Sequence, residues 1–268
     1  MLKVKEFFEK QSCTFTYLVY DEGTKDAIII DPVLNYDSEK KELSEESYTE
    51  LKSFIDANDL NTHYSIETHI HADHITAAKR LKRDYPSIKT AINKNVCLVQ
   101  KTFSSKLKLP KNFKEDGSQF DLLFSDDDIL KAGSISAKAI FTPGHTPTCT
   151  SLLIEDKLFS GDAIFMPDFG TGRCDFPNGN ASVLYDSIVN KIYTLDDTTK
   201  IYVGHDYRPG GRKLKFKTTV LDQKKSNIHL STDTKKEDFV RFRESRDNGL
   251  SAPRLLMESL EANVTAGK

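Results

Sequence analysis

The segment THIHADH, residues 68–74, concentrates three of the chain's seven histidines within six positions. It lies between a strand-like run and a helix-like run. Imidazole and carboxylate groups are the ligands that borderline divalent metals prefer. His69 and His71 share one face of an extended segment, because strand side chains repeat every two residues. The loop that follows brings Asp73 and His74 round to the same pocket, so the spacing predicts a metal site.

Three later motifs carry further metal-ligand side chains. A Gly-His-Thr motif contains His145, a Gly-Asp motif contains Asp162 and a Gly-His motif contains His205. Each motif follows a strand-like run, and its glycine gives the backbone room to turn. Each motif alone is more typical of a turn than of a ligand. In combination with residues 68–74 they indicate one composite site.

Hydrophobic periodicity gives a coarse secondary structure of strands and helices. Strands are predicted at residues 14–20, 27–30, 63–68, 120–124, 134–141, 151–154, 157–159 and 200–203. Helices are predicted at residues 42–60, 74–83, 181–192, 214–225 and 236–246. A β-rich stretch followed by a helix occurs twice, which suggests two halves packed sheet to sheet with helices outside. Periodicity alone does not fix this topology.

The ordered series HxHxDH, GHT, GD and GH resembles the ligand series of the metallo-β-lactamase superfamily. The resemblance spans about residues 13–208. It implies an α/β fold, the αββα metallo-β-lactamase sandwich, with the metal site at the edge between the two sheets. We expect residues 1–268 to form a single domain of this fold with a C-terminal helical extension.

Two segments resemble the persulfide dioxygenases, also called sulfur dioxygenases, and their bacterial branch often labelled β-lactamase-like hydrolase. These are GRCDF at residues 172–176 and GHDY at residues 204–207. The resemblance implies a single Fe(II) held by His69, His145 and Asp162. Two histidines and a carboxylate form the facial triad of non-haem iron oxygenases, which leaves three positions open for substrate and O2.

The implied reaction oxidises a low-molecular-weight thiol persulfide with O2 to sulfite and the thiol. Glutathione persulfide is one such substrate, and coenzyme A or another carrier remains open. Arg173 is expected to bind the anionic substrate, or else to shape its own loop by an ion pair with Asp175 or Asp168. Tyr207 is expected to line the same pocket, or to pack beside His205.

A two-zinc thioester hydrolase resembling glyoxalase II (hydroxyacylglutathione hydrolase) is the alternative. One Zn(II) would have His69, His71 and His145, the other Asp73, His74 and His205, with Asp162 bridging. In the one-iron site His71, Asp73, His74 and His205 instead orient ligands or water. The GRCDF segment favours the dioxygenase, as does a C-terminal part unlike a glyoxalase glutathione-binding domain. A non-enzymatic metal-binding or redox-sensing module is disfavoured by the ligand set with open positions.

Composition limits the partners and the location. A net charge of −2 argues against a nucleic-acid binder, which needs a basic face. No run of 18 apolar residues is present, so no membrane span is expected. The N-terminus lacks a signal-peptide pattern, and an isologous homodimer is the default assembly. The cysteines are scattered and predict free thiols in the cytoplasm: Cys13, Cys97, Cys149 and Cys174.

Overall fold

The structure, a computed structural model, describes residues 1–267. Two six-stranded mixed β-sheets form its centre. The first sheet has the strand order β1-β2-β3-β6-β8-β9. Its strands are β1 (Leu2–Glu9), β2 (Thr14–Asp21), β3 (Asp26–Ile30), β6 (Asn61–Ile66), β8 (Lys89–Asn93) and β9 (Leu122–Phe124).

The second sheet has the strand order β10-β11-β12-β13-β14-β15. Its strands are β10 (Ile129–Ala132), β11 (Ile135–Phe141), β12 (Thr150–Ile154), β13 (Lys157–Phe159), β14 (Lys200–Tyr202) and β15 (Lys217–Thr219). A small third sheet joins β4 (Val33–Asp37) to β5 (Glu42–Ser44) and β7 (Ile75–Thr76).

Seven α-helices accompany the sheets within the described residues. They are α1 (Glu46–Ala57), α2 (Ala78–Asp84), α3 (Val96–Phe103), α4 (Ala181–Ser187), α5 (Val220–Ser226), α6 (Lys236–Asp247) and α7 (Leu256–Asn263). Helix α4 continues into a π-helical turn, Ile188–Ile192. Helices α1 and α2 bury their apolar residues with the outer face of the first sheet, and α4 packs with the second sheet.

Strand β2 shows how the sequence builds this layering. Side chains alternate between the two faces of a strand, so a strand covered on both faces must be apolar throughout. Phe15, Tyr17 and Val19 join the core between the two sheets. Leu18 points the other way and joins the core beneath α1 and α2. The first sheet is therefore buried between the helices and the second sheet.

The predicted sandwich of two sheets with outer helices is confirmed. The helix predicted over 214–225 is wrong in its first half, because Lys217–Thr219 adds as a strand to β14 and the helix starts at Val220. The helix predicted over 42–60 is shorter, since residues 42–44 form β5. The helix predicted over 74–83 is wrong at its start, because residues 75–76 form β7 and the helix begins at Ala78. Strands β1, β4, β8 and β10 and helices α3 and α7 were not predicted. The single domain with a C-terminal extension stays a prediction.

The four cysteines are free thiols, as expected. None of the helices within residues 1–267 combines the length and apolarity that crossing a membrane requires. The cytoplasmic location stays a prediction.

Candidate metal centre

The loops that carry the four motifs meet at one edge of the sheets. His69 follows β6, His145 follows β11, Asp162 follows β13 and His205 follows β14. Strands β13 and β14 are parallel, so both chains leave the sheet at the same edge. Thr14, at the start of β2, forms a single bridge with His205 and closes the edge toward the first sheet.

His69, His145 and Asp162 converge on one point. One ligand atom from each lies within 4.8 Å of the others. The rings of His69 and His145 are nearly perpendicular, with centroids 5.2 Å apart, and His145 Nε2 lies 3.7 Å from Asp162 Oδ2. This is the arrangement that three ligands of one ion require.

The orientation of His145 is set by the GRCDF segment. Its Nδ1–H donates to the carbonyl oxygen of Arg173 at 2.6 Å, which leaves Nε2 with its lone pair toward the metal position. Gly172 of the same segment packs closely against both Asp162 and His145. A Cβ at this position would lie 2.1 Å from the carbonyl oxygen of Asp162 and 3.3 Å from the Cβ of His145. Only glycine fits this contact without displacement.

Helix α6 anchors the same segment through a buried ion pair. Asp247 accepts the Cys174 backbone N–H at 2.7 Å and pairs with the guanidinium of Arg243. Arg243 in turn donates to the carbonyl oxygen of Thr171 at 3.2 Å. Both charged side chains are buried, so each depends on the other for its stability.

A second set of ligand-type side chains lies beside the first. Ligand atoms of His71, Asp73 and His74 lie within 4.8 Å of one another. His205 Nε2 lies 3.4 Å from a carboxylate oxygen of Asp73 and 3.4 Å from one of Asp162. The structure therefore brings together all seven residues for which the sequence predicted a metal or ligand-orienting role, and those roles stay predictions.

Burial and neighbouring charges shift the pKa values of His69 and His71 in opposite directions. Burial, together with His71 and His145, holds the pKa of His69 well below its usual value, so this imidazole keeps a free lone pair. Burial would lower the pKa of His71 too, but the carboxylates of Asp31 and Glu67 raise it well above its usual value. His71 Nε2 lies 3.0 Å from Asp31 Oδ1 and 3.4 Å from Glu67 Oε2.

Three buried polar atoms at this edge test whether the residues fit a metal. His71 Nδ1, His74 Nε2 and Asp162 Oδ1 have no hydrogen-bond partner among residues 1–267. Buried polar atoms are almost always satisfied, and imidazole nitrogens and carboxylate oxygens are the atom types that divalent metals bind. The donor set therefore fits one or two metal ions.

A cavity of 370 Å³ opens onto the centre. Its wall includes His145, Asp162 and Asp73 from the centre. The rest of its lining is mainly apolar and cationic, and about half of those residues come from α6 and the segment after it. The other lining residues are Ala72, Phe165, Phe169, Thr171, Arg173, Tyr207, His229, Arg243, Arg246, Leu250, Pro253, Arg254 and Leu255.

Arg173 and Tyr207 both line this cavity. Arg173 Nε donates to Asp175 Oδ1 at 2.6 Å, and NH1 donates to the carbonyl oxygen of Ser251 at 2.9 Å. The ion pair considered from the sequence is thus present with Asp175, whereas Asp168 pairs with Arg212. The ring of Tyr207 stacks on His205 at 5.4 Å. Their roles toward substrate stay predictions.

Sequence reasoning missed the residues that α6 and the following segment bring to the cavity. Arg243, Arg246 and Arg254 follow the last ligand motif, at His205, by 38, 41 and 49 positions and form no recognisable motif of their own. Asp31 and Glu67, which flank His71, were also missed. Asp31 ends a strand-like run in the same way as the ligands do, and that position was the available signal.

Comparison with known proteins agrees with this geometry. The family model of the metallo-β-lactamase superfamily matches residues 14–205. The chain belongs to the metallo-β-lactamase superfamily. The relative named Glyoxylase B2 of Dictyostelium discoideum is 45% identical over 99% of this chain and 91% of its own length.

Two further matches are proteins named ETHE1. The human protein named Persulfide dioxygenase ETHE1, mitochondrial, is 30% identical over 98% of this chain and 88% of its own length. The crystal structure of ETHE1 from Myxococcus xanthus superposes with a TM-score of 0.78 at 29% identity, covering 99% of this chain and 100% of that one. The αββα metallo-β-lactamase fold expected from the sequence is confirmed, and the relatives' names include both a glyoxylase and a dioxygenase.

Proposed function

We propose that this protein is an iron-dependent persulfide dioxygenase. The reaction is RSSH + O2 + H2O → RSH + SO3²⁻ + 2H⁺. The outer sulfur is oxidised, O2 accepts the electrons, and the S–S bond breaks with release of the thiol. His69, His145 and Asp162 would hold one Fe(II), which supplies redox chemistry that side chains lack.

The position of the GRCDF segment carries this proposal. The carbonyl of Arg173 orients His145, and the side chain of the same residue lines the cavity. The segment that resembles the dioxygenases therefore both orients a candidate metal ligand and lines the cavity proposed to bind substrate. A metal held by His69, His145 and Asp162 would have three protein ligands, a set that leaves positions for substrate and O2.

The cavity suits an anionic thiol derivative. Arg173, Arg246 and Arg254 supply positive charge for a persulfide anion or for the acidic groups of its carrier. Phe165 and Phe169 supply apolar wall near the centre, where they exclude water from the reacting sulfur. The cavity therefore suits an anionic thiol carrier whose reacting group is a polarisable sulfur.

A two-zinc thioester hydrolase is the second candidate. Two observations favour it: the 45% identity to a protein named Glyoxylase B2, and the buried Nε2 of His74 that has no hydrogen-bond partner in the described chain. In this case Asp73, His74 and His205 would hold a second ion, with Asp162 between the two. Two such ions would supply an activated water for hydrolysis of a thioester.

Metal content and substrate turnover together decide between the candidates. Protein purified without added metal should contain close to one iron per chain, consume O2 and release sulfite from glutathione persulfide. His145→Ala should lose the iron. His63→Ala removes a histidine that is paired with Asp26 near the start of β6, whereas His69 follows the end of that strand, and this variant should keep the iron. Two zinc ions per chain with hydrolysis of a hydroxyacylglutathione and no O2 uptake would reject the dioxygenase.

A further inference from the structure

Helix α7 ends at a buried asparagine that contacts the metal loop. Asn263 is 3% exposed. Its Nδ2 donates to the carbonyl oxygens of His71 at 2.9 Å and His74 at 2.8 Å. Its Oδ1 accepts the backbone N–H of Thr76 at 2.9 Å. Both amide hydrogens and the amide oxygen are therefore engaged with residues 71–76.

These three bonds satisfy backbone groups that the loop leaves buried without a sheet partner. A buried carbonyl or N–H without a partner costs free energy comparable to a lost hydrogen bond. One rigid amide group bridges the carbonyls of His71 and His74, so it fixes the span of the turn between them. An aspartate offers no donors, and a glutamine is one methylene too long for the same geometry.

Apolar packing from α7 supports the same loop. The side chain of Ile70, which lies between His69 and His71, is fully buried in a cluster with Leu260 and Val264. The end of α7 thus contacts the metal loop in two ways, through apolar side chains packed in one cluster with Ile70 and through the Asn263 amide. Helix α7 lies beyond residues 14–205, the part matched by the superfamily model.

We propose that Asn263 is a positioning residue for the metal centre. It touches no ligand atom, and it acts through the backbone of residues 71–76. By fixing this turn it sets the direction of His69 at one end of the loop and of His74 at the other. The inference holds for one metal ion or for two, because both arrangements use this loop.

Metal binding by the apoprotein tests the proposal without any enzyme assay. Asn263→Asp keeps the size of the side chain and replaces the two donors with an oxygen facing two carbonyls. Apoprotein is titrated with Co²⁺, and both the Kd and the visible spectrum of the Co²⁺ protein are recorded. We expect Kd to rise by ~10–100-fold, as for other residues that orient metal ligands. The spectrum should change because the ligand geometry changes.

Two further variants separate positioning from stability. Ser259→Ala changes another fully buried position on the same helix and should leave Kd and spectrum as in the wild type. Asn263→Gln keeps the amide and tests the geometry if the aspartate variant does not fold. It should bind Co²⁺ more weakly than the wild type, with a changed spectrum. Wild-type Kd and spectrum in the folded Asn263 variants, with only a lower Tm, would overturn the proposal and leave Asn263 as a structural residue.

Discussion

Replacing Gly172 with alanine should damage the metal centre without altering any ligand. The added Cβ would lie 2.1 Å from the carbonyl oxygen of Asp162 and 3.3 Å from the Cβ of His145. Atoms at the first distance must separate by roughly 1 Å or more to reach ordinary van der Waals contact. Because the contact is with backbone, no rotation of a flexible side chain relieves it.

The expected loss follows from that displacement. A shift of about 1 Å in the position of a catalytic group relative to its substrate can reduce the reaction rate by ~100-fold. Overpacking of this kind also lowers the free energy of unfolding by ~1–3 kcal/mol. Gly172→Ala should therefore remain folded, with a weaker affinity for metal and kcat/KM reduced by about two orders of magnitude.

A matched glycine provides the control. A Cβ at Gly249 would meet only the carbonyl oxygen of Arg246 at 3.6 Å, an ordinary contact. Elemental analysis, Co²⁺ titration and steady-state kinetics are compared for Gly172→Ala and Gly249→Ala. Equal metal affinity and equal kcat/KM in the two variants would refute the claim that the GRCDF loop is sterically coupled to the ligands.

Three other predictions concern the wall contributed by α6 and its neighbours. Replacing Arg246 and Arg254 together with glutamine should raise KM for an anionic thiol substrate several-fold, at ~0.5–1 kcal/mol per exposed contact, with kcat unchanged in steady-state kinetics. Burial, with the charge of Arg243, lowers the pKa of His229 to about 4, so the unfolded chain binds more protons below pH 6.5. Stability should therefore fall as pH drops from 6.5 toward 4, and the Tm of His229→Gln should depend less on pH across that window. Asp247→Asn leaves the Arg243 cation buried and unpaired, and chemical denaturation should show a loss of ~3–5 kcal/mol.

The convergence of the candidate ligands could be predicted from sequence because each of their motifs follows a strand. His145, Asp162 and His205 stand within four residues of a strand end, and strands bury recognisable apolar runs. Sheet pairing then brings their loops to one edge without further information. Spacing and residue type therefore suffice to predict that these side chains lie together, and their role as metal ligands stays a prediction.

The supporting residues could not be predicted, because their partners are distant in sequence. Asn263 bonds to His71 and His74 across 192 and 189 residues, and a single asparagine carries no motif. Lys217 was assigned to a helix by local pattern, yet tertiary pairing with Tyr202 makes it part of a strand. Such contacts depend on the assembled fold, which outweighs local propensity.

The dependence of the metal loop on α7 has a consequence for the order in which the protein is made. All the ligand motifs leave the ribosome before Asn263, which follows His205 by 58 positions. At typical synthesis rates, this corresponds to a delay of roughly 3 to 12 s. During that interval the histidines and carboxylates of residues 68–74 are already synthesised, but the loop lacks its hydrogen bonds to Asn263. If Asn263 positions the metal loop as proposed, we expect high-affinity metal binding only after the last helix has docked.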